Sequence, residues 1–223
     1  MAKAADFNDR RAIVTGAALL SVGLATPAAA TGEGGHWRPT PEPQDDWMDL
    51  PGSHRFVFDT TSFDGLGGAI GFADTYYAYN KSGYGLAPKD LAVIIIMRHF
   101  STVFGYSDVV WAKYGGVFGG FIKLTDPATK KAPVRNLYLV KDPKDKDEAT
   151  TLQEMQAKGV QFAVCGAGTE RLAGVLAKQT KGDEKQIHQF LKDNLIPTAR
   201  LVPAGIIAVN RAQERGYALA WMG

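Results

Sequence analysis

Seven consecutive apolar residues, Leu91-Ala92-Val93-Ile94-Ile95-Ile96-Met97, constrain the fold of this chain more than any other segment. A strand with one wet face alternates apolar and polar residues. A run with no polar position is stable only where both faces are covered, which calls for a parallel sheet between helix layers. The rest of the chain supplies such layers. His54 to Asp59 reads as a strand. A helix follows with Asp64 as N-cap and Leu66, Ile70, Ala73, Tyr77 and Lys81 at helical spacing, stopped by Gly83 and Gly85 before Pro88. Ser107 can cap a second helix through Val110, Trp111 and Tyr114 that ends at Gly115-Gly116. Leu152, Met155 and Gln156 mark a third, closed by Gly159, and Val160 to Cys165 is a third strand. A long helical region from Gly168 or Thr169 to Leu191, broken around Gly182-Asp183, leads to a strand and turn at Leu201 to Gly205. Ile206 to Arg215 is a last helix and Tyr217 to Met222 a last strand. Alternating strands and helices predict right-handed crossovers and a three-layer α/β/α sandwich around a mostly parallel sheet of about five strands, with sites at its carboxyl edge.

The amino terminus has a different character. Paired arginines, Arg10-Arg11, precede an apolar run from Ala12 to Leu24, and Ala28-Ala29-Ala30 provides a small-residue exit. That layout is a secretory signal, and the arginine pair marks the twin-arginine variety, which exports folded proteins to the periplasm. The competing reading is an uncleaved anchor, although a run this short and rich in Ala and Gly suits a membrane span poorly. The expected organisation is therefore a signal peptide at 1–30, a Pro/Gly-rich linker at 31–53 and an α/β domain at 54–223, with an insertion at about 117–150. Regular structure is not expected in the linker, although Trp37 and Trp47 suggest that part of it docks on the domain. After cleavage no stable membrane span is expected.

A formal net charge of +2 over 223 residues, with acidic and basic positions interleaved, offers no stripe for nucleic-acid phosphates, so nucleic acid is not an expected partner. The mixed-sign run Lys141 to Glu148 reads as a solvated loop, because a calcium loop would need EF-hand spacing and a central glycine. His36, His54 and His188 are dispersed and form no metal motif, and no cofactor is implied.

Export makes the cysteine count informative, because oxidising compartments use cysteines in pairs. Cys165 is the only one in the chain. It is a shielded core thiol, a reactive thiol, or half of an intermolecular bridge. Free cysteine packs readily as a small hydrophobe. Its address favours chemistry, however, since it ends a strand at the sheet edge and directly precedes a helix. The small residues Gly166, Ala167 and Gly168 let another molecule approach, and amides at the helix start can stabilise a thiolate. With no second cysteine, dithiol redox chemistry within one chain is ruled out. A persulfide carrier needs only one thiol.

Gly159-Val160-Gln161-Phe162-Ala163-Val164-Cys165-Gly166, followed by Leu201-Val202-Pro203-Ala204-Gly205-Ile206-Ile207-Ala208-Val209-Asn210 and Gln213-Glu214-Arg215-Gly216-Tyr217, resembles the DsrE/DsrF-like family of sulfur-relay proteins. The resemblance covers the domain in order and is best in its carboxyl half. It implies a parallel five-stranded α/β fold, homo-oligomers of three or six chains, and a cysteine that carries sulfur as a persulfide to a protein partner in sulfur or electron transfer. Cys165 falls at the position of that cysteine. Export and the 117–150 insertion depart from the family pattern, whose known relay members are cytoplasmic.

Arg98 and His99 follow the second strand at the same sheet edge, which makes them candidate neighbours of the thiol together with Gly166 and Gly168. Arg98 could favour a thiolate or an anion and His99 could hold a proton, or both could simply satisfy loop carbonyls. Trp111, Tyr114, Tyr76, Tyr77 and Tyr79 are core packing or the lining of a pocket or oligomer surface. If the thiol is inert, the chain reads instead as a periplasmic binding or assembly module that holds a small ligand or redox partner at the sheet edge.

Overall fold

Parallel pairing links all five strands of the described chain. The computed structural model describes residues 39–141 and 150–223. The expected signal peptide at 1–30, the first part of the linker with Trp37, and the charged run after Lys141 lie outside these residues. Strands β1 (His54–Thr60), β2 (Leu91–Met97), β3 (Gln161–Cys165), β4 (Ala199–Val202) and β5 (Ala218–Met222) form one sheet in the order β4-β3-β2-β1-β5. The expected α/β sandwich is the observed architecture.

The apolar run is β2, the central strand, and each of its residues is buried. Its alternate side chains enter two different cores. Val93, Ile95 and Met97 pack with Leu66, Ile70, Trp111, Phe118, Leu172 and Leu176 on one face, whereas Ala92, Ile94 and Ile96 pack with Ala208, Val209, Ala212 and Tyr217 on the other. The helices are α1 (Phe63–Tyr84), α2 (Asp108–Ile122), α3 (Leu152–Ala157), α4 (Gly166–Thr180), α5 (Glu184–Asp193) and α6 (Gly205–Glu214). Strands β1 to β4 step in one direction across the sheet, so right-handed crossovers keep α1, α2, α4 and α5 on one face. The connection from β4 to β5 returns across the whole sheet in the opposite direction. Right-handedness then sends α6 to the other face.

Local boundaries follow capping chemistry. The N-cap of α1 is Ser62, whose hydroxyl accepts from the Gly65 amide at 2.9 Å, and not Asp64, which lies inside the helix. Gly85, at φ 70°, ends the same helix in a left-handed turn. Thr151 and Glu154 close a reciprocal capping box on α3, and Asp183 caps α5 after the break at Gly182.

Three further expectations need correction. Helix α2 does not stop at Gly115-Gly116 but continues to Ile122. Gly115 faces inward, and a Cβ there would collide with the Pro133 carbonyl, so this glycine serves close packing of the 126–139 segment and not termination. Strand β4 starts at Ala199, two residues earlier than expected. The linker also has regular structure, a 3-10 turn at Pro43–Met48. Met48 is fully buried against the α6 face, its carbonyl accepts from the Tyr217 hydroxyl at 2.6 Å, and Arg55 donates to the Leu50 carbonyl at 2.7 Å. Burial of one such side chain supplies about 1.5–3 kcal/mol toward the entropy cost of ordering the segment, and the two hydrogen bonds add to it.

The two adjacent glycines of α2 give opposite expectations. Gly115→Ala should lower the unfolding free energy, because helix and loop must separate. Gly116→Ala, whose Cβ meets open space, should raise it by about 0.5–1 kcal/mol through the alanine helix preference. Urea denaturation of both variants checks the pair.

Candidate functional site

Adjacent strands whose following helices lie on opposite faces leave a crevice between their carboxyl ends. In this sheet the pair is β3 and β4: α4 follows β3 on one face, and α6 follows β4 on the other. Cys165 ends β3 at that point, paired in register with Val202 of β4.

The sulfur of Cys165 joins the two helices. As N-cap of α4, Cys165 uses Sγ to accept from the Gly168 amide at 3.3 Å, where a serine or aspartate oxygen is the usual acceptor. The Gly205 amide, first residue of α6, donates to the same sulfur at 3.2 Å. Thiol sulfur is a weak acceptor, but both bonds strengthen when it carries negative charge, and both helix starts present partial positive charge to it. The residue as a whole is 8% exposed, so the thiol is largely shielded. Behind it, the Tyr106 hydroxyl donates to Thr169 Oγ1 at 2.7 Å, and Thr169 Oγ1 donates to the Cys165 carbonyl at 2.9 Å. This chain fixes the backbone of the turn. Burial pushes the Tyr106 phenol up, and the nearby Cys165 adds to the shift, so Tyr106 stays a neutral donor.

Arg98, directly after β2, stands over the start of α6. Its guanidinium makes two bonds to Asp59, Nε to Oδ1 at 2.6 Å and Nη2 to Oδ2 at 2.8 Å, and its stem lies against Gly205, where an added Cβ would be 2.6 Å from that of Arg98. The Asp59 hydrogen bond chiefly raises the Arg98 pKa, with the Asp59 charge and the charge of Cys165 acting in the same direction against desolvation. Arg98 therefore stays charged, and its charge is balanced by the carboxylate that holds it. Asp59 was not singled out from the sequence. It is the carboxylate that holds Arg98 in place, and only the register, which sets Asp59 beside Ile96 two residues before Arg98, brings the two together.

Gly166 and Gly168 both lie in the first turn of α4, which starts at Gly166 and not, as the sequence suggests, at Gly168 or Thr169. Gly166 packs against the β4 turn, since a Cβ there would be 2.6 Å from the Val202 carbonyl oxygen, and Gly168 lies against Thr102. His99 is exposed, in a left-handed conformation at φ 57°, with its ring edge-on to Phe100 at 4.1 Å. It opens the 3-10 segment His99–Gly105, which carries it past the strand end, and among the described residues it makes no hydrogen bond to the thiol side. No protein-family model matches this chain, and no curated protein matches it.

Two cavities flank the α4 start. One, of about 510 Å³, is bordered by Gly166, Ala167, Val202 and Pro203 and by Trp47 of the docked linker, whose ring lies 4.9 Å beneath Arg200. The other, of about 240 Å³, opens beside Gly168 and His99. Of the aromatic candidates, Trp111, Tyr114 and Tyr77 are core residues, and the Trp111 indole donates to the Val103 carbonyl at 3.1 Å; Tyr76 is half-buried and Tyr79 exposed. Among the described residues no cluster of three metal-ligating side chains occurs, and no helix is long and apolar enough to cross a membrane.

The Arg98 and Asp59 side chains are 25% and 4% exposed, so removing one partner leaves a poorly solvated charge. Arg98→Met should cost about 3 kcal/mol, and adding Asp59→Leu should recover most of it. A double-mutant cycle measured by urea unfolding reads the difference.

Proposed function

We propose that this protein is an exported sulfur carrier that holds sulfur as a persulfide on Cys165 and passes it to a thiol of a partner protein. The observation that carries the proposal is the pair of amides, Gly168 and Gly205, converging on one sulfur at the switch point of the sheet. Both amide bonds strengthen when the sulfur carries negative charge, as it does when it attacks and when it leaves in a thiol exchange. The resemblance to the DsrE/DsrF-like family supports the same reading. The arginine-paired leader supports delivery to the periplasm, and the resemblance supports assembly into trimers or hexamers.

The chemistry is two successive exchanges. The Cys165 thiolate attacks the outer sulfur of a donor persulfide R–S–SH; a new S–S bond forms, the donor S–S bond breaks, and R–S⁻ leaves. The proton stays on the transferred sulfur. An acceptor thiolate then attacks that sulfur and Cys165 leaves as thiolate. No external oxidant or reductant is consumed.

The shielding of Cys165 favours a second reading, a binding or assembly module in which the sulfur only ties α4 to α6. Intact mass after incubation with an organic persulfide separates the two. The carrier predicts one added sulfur atom on the wild-type chain, lost on addition of a thiol acceptor, and none on Cys165→Ser. An unmodified wild-type chain supports the module.

A further inference from the structure

The 240 Å³ cavity beside Gly168 has an unusual composition. Its walls are Phe100, Phe121, Leu172 and Val175, with Phe100 and Phe121 in edge contact at 5.1 Å. Within this apolar lining lies Thr102, a residue only 2% exposed, whose Oγ1 has no hydrogen-bond partner among the described residues. A buried hydroxyl without a partner forfeits a full hydrogen bond, and such groups are rare in folded proteins. At the rim stand His99 and the exposed Arg171, which makes no ion pair among the described residues. Gly168, Arg171, Leu172 and Val175 follow one another along a single face of α4, so the hydroxyl, the cation and the apolar wall lie within two helical turns.

We propose that this cavity binds a small organic anion with an apolar body, its carboxylate on Arg171 at the rim and a further polar atom on Thr102 at the base. The space exceeds the roughly 150 Å³ that encloses benzene, so a substituted single ring fits. The ligand fills the hydrogen bond that Thr102 lacks and covers Phe100 and Phe121, both about 40% exposed. The site lies next to Cys165 through Gly168 but does not depend on the reactivity of the thiol.

Calorimetric titration of the full chain with 4-hydroxyphenylacetate tests this, with phenylacetate and the neutral 4-hydroxyphenylethanol as comparisons. The proposal predicts saturable one-to-one binding, weaker by about ten-fold for either comparison ligand. Arg171→Gln should erase the preference for the anion. Thr102→Val should erase the preference for the hydroxyl while leaving the thermal midpoint equal or higher, because the group removed has no partner in the free protein. Cys165→Ser should bind as the wild type does, so failure here and failure of the sulfur adduct are separate results. Absence of saturable binding, or binding that neither Arg171→Gln nor Thr102→Val alters, overturns the proposal. So does absence of binding in a chain whose self-association, followed by sedimentation, is broken by Phe121→Asp, a result that would assign the wall to contacts between copies.

Discussion

The handedness of one long crossover sets the geometry on which the rest depends. Strands β1 to β4 add in one direction, and the chain must then return from β4 past three strands to place β5 beside β1. A right-handed return puts α6 alone, among the α-helices of the described residues, on its face. That places two helix starts from opposite faces at neighbouring strand ends. The crevice between them is a consequence of strand order, and Cys165 occupies it.

One sulfur then takes over work that different groups usually do separately. It caps α4 through the Gly168 amide and anchors α6 through the Gly205 amide, so the two helical layers meet at a single atom. The surroundings hold that atom in place. Arg98, braced by Asp59, lies on Gly205, and the Tyr106–Thr169 chain holds the Cys165 carbonyl. A sulfur so placed has donors on two sides and small residues beside it, and the proposed exchange relies on that setting.

Periodicity and composition carried much of this information. The unbroken run Leu91–Met97 announced a doubly covered strand, and the strand-Cys165-helix junction announced a residue at the carboxyl edge. The features that were not legible arise between segments. Asp59 looks like an ordinary strand residue until the register with β2 pairs it with Arg98, 39 positions away. Gly115 reads as a stop signal, yet it is the place where the segment that follows the helix folds back against it. The partnerless hydroxyl of Thr102 is visible only as the absence of a neighbour in three dimensions. His99 was grouped with the thiol by its place after β2, but the 3-10 segment turns it toward a separate cavity.

The most direct measurement of the two-helix junction follows the backbone amide resonances of Gly168 and Gly205 in a proton–nitrogen correlation spectrum while Cys165 is loaded with sulfur from an organic persulfide. If the sulfur joins both helices and carries the added atom, the two resonances shift together, in proportion to the adduct, and return when a thiol acceptor removes the sulfur. Full loading of Cys165 with either amide left unmoved would contradict the account.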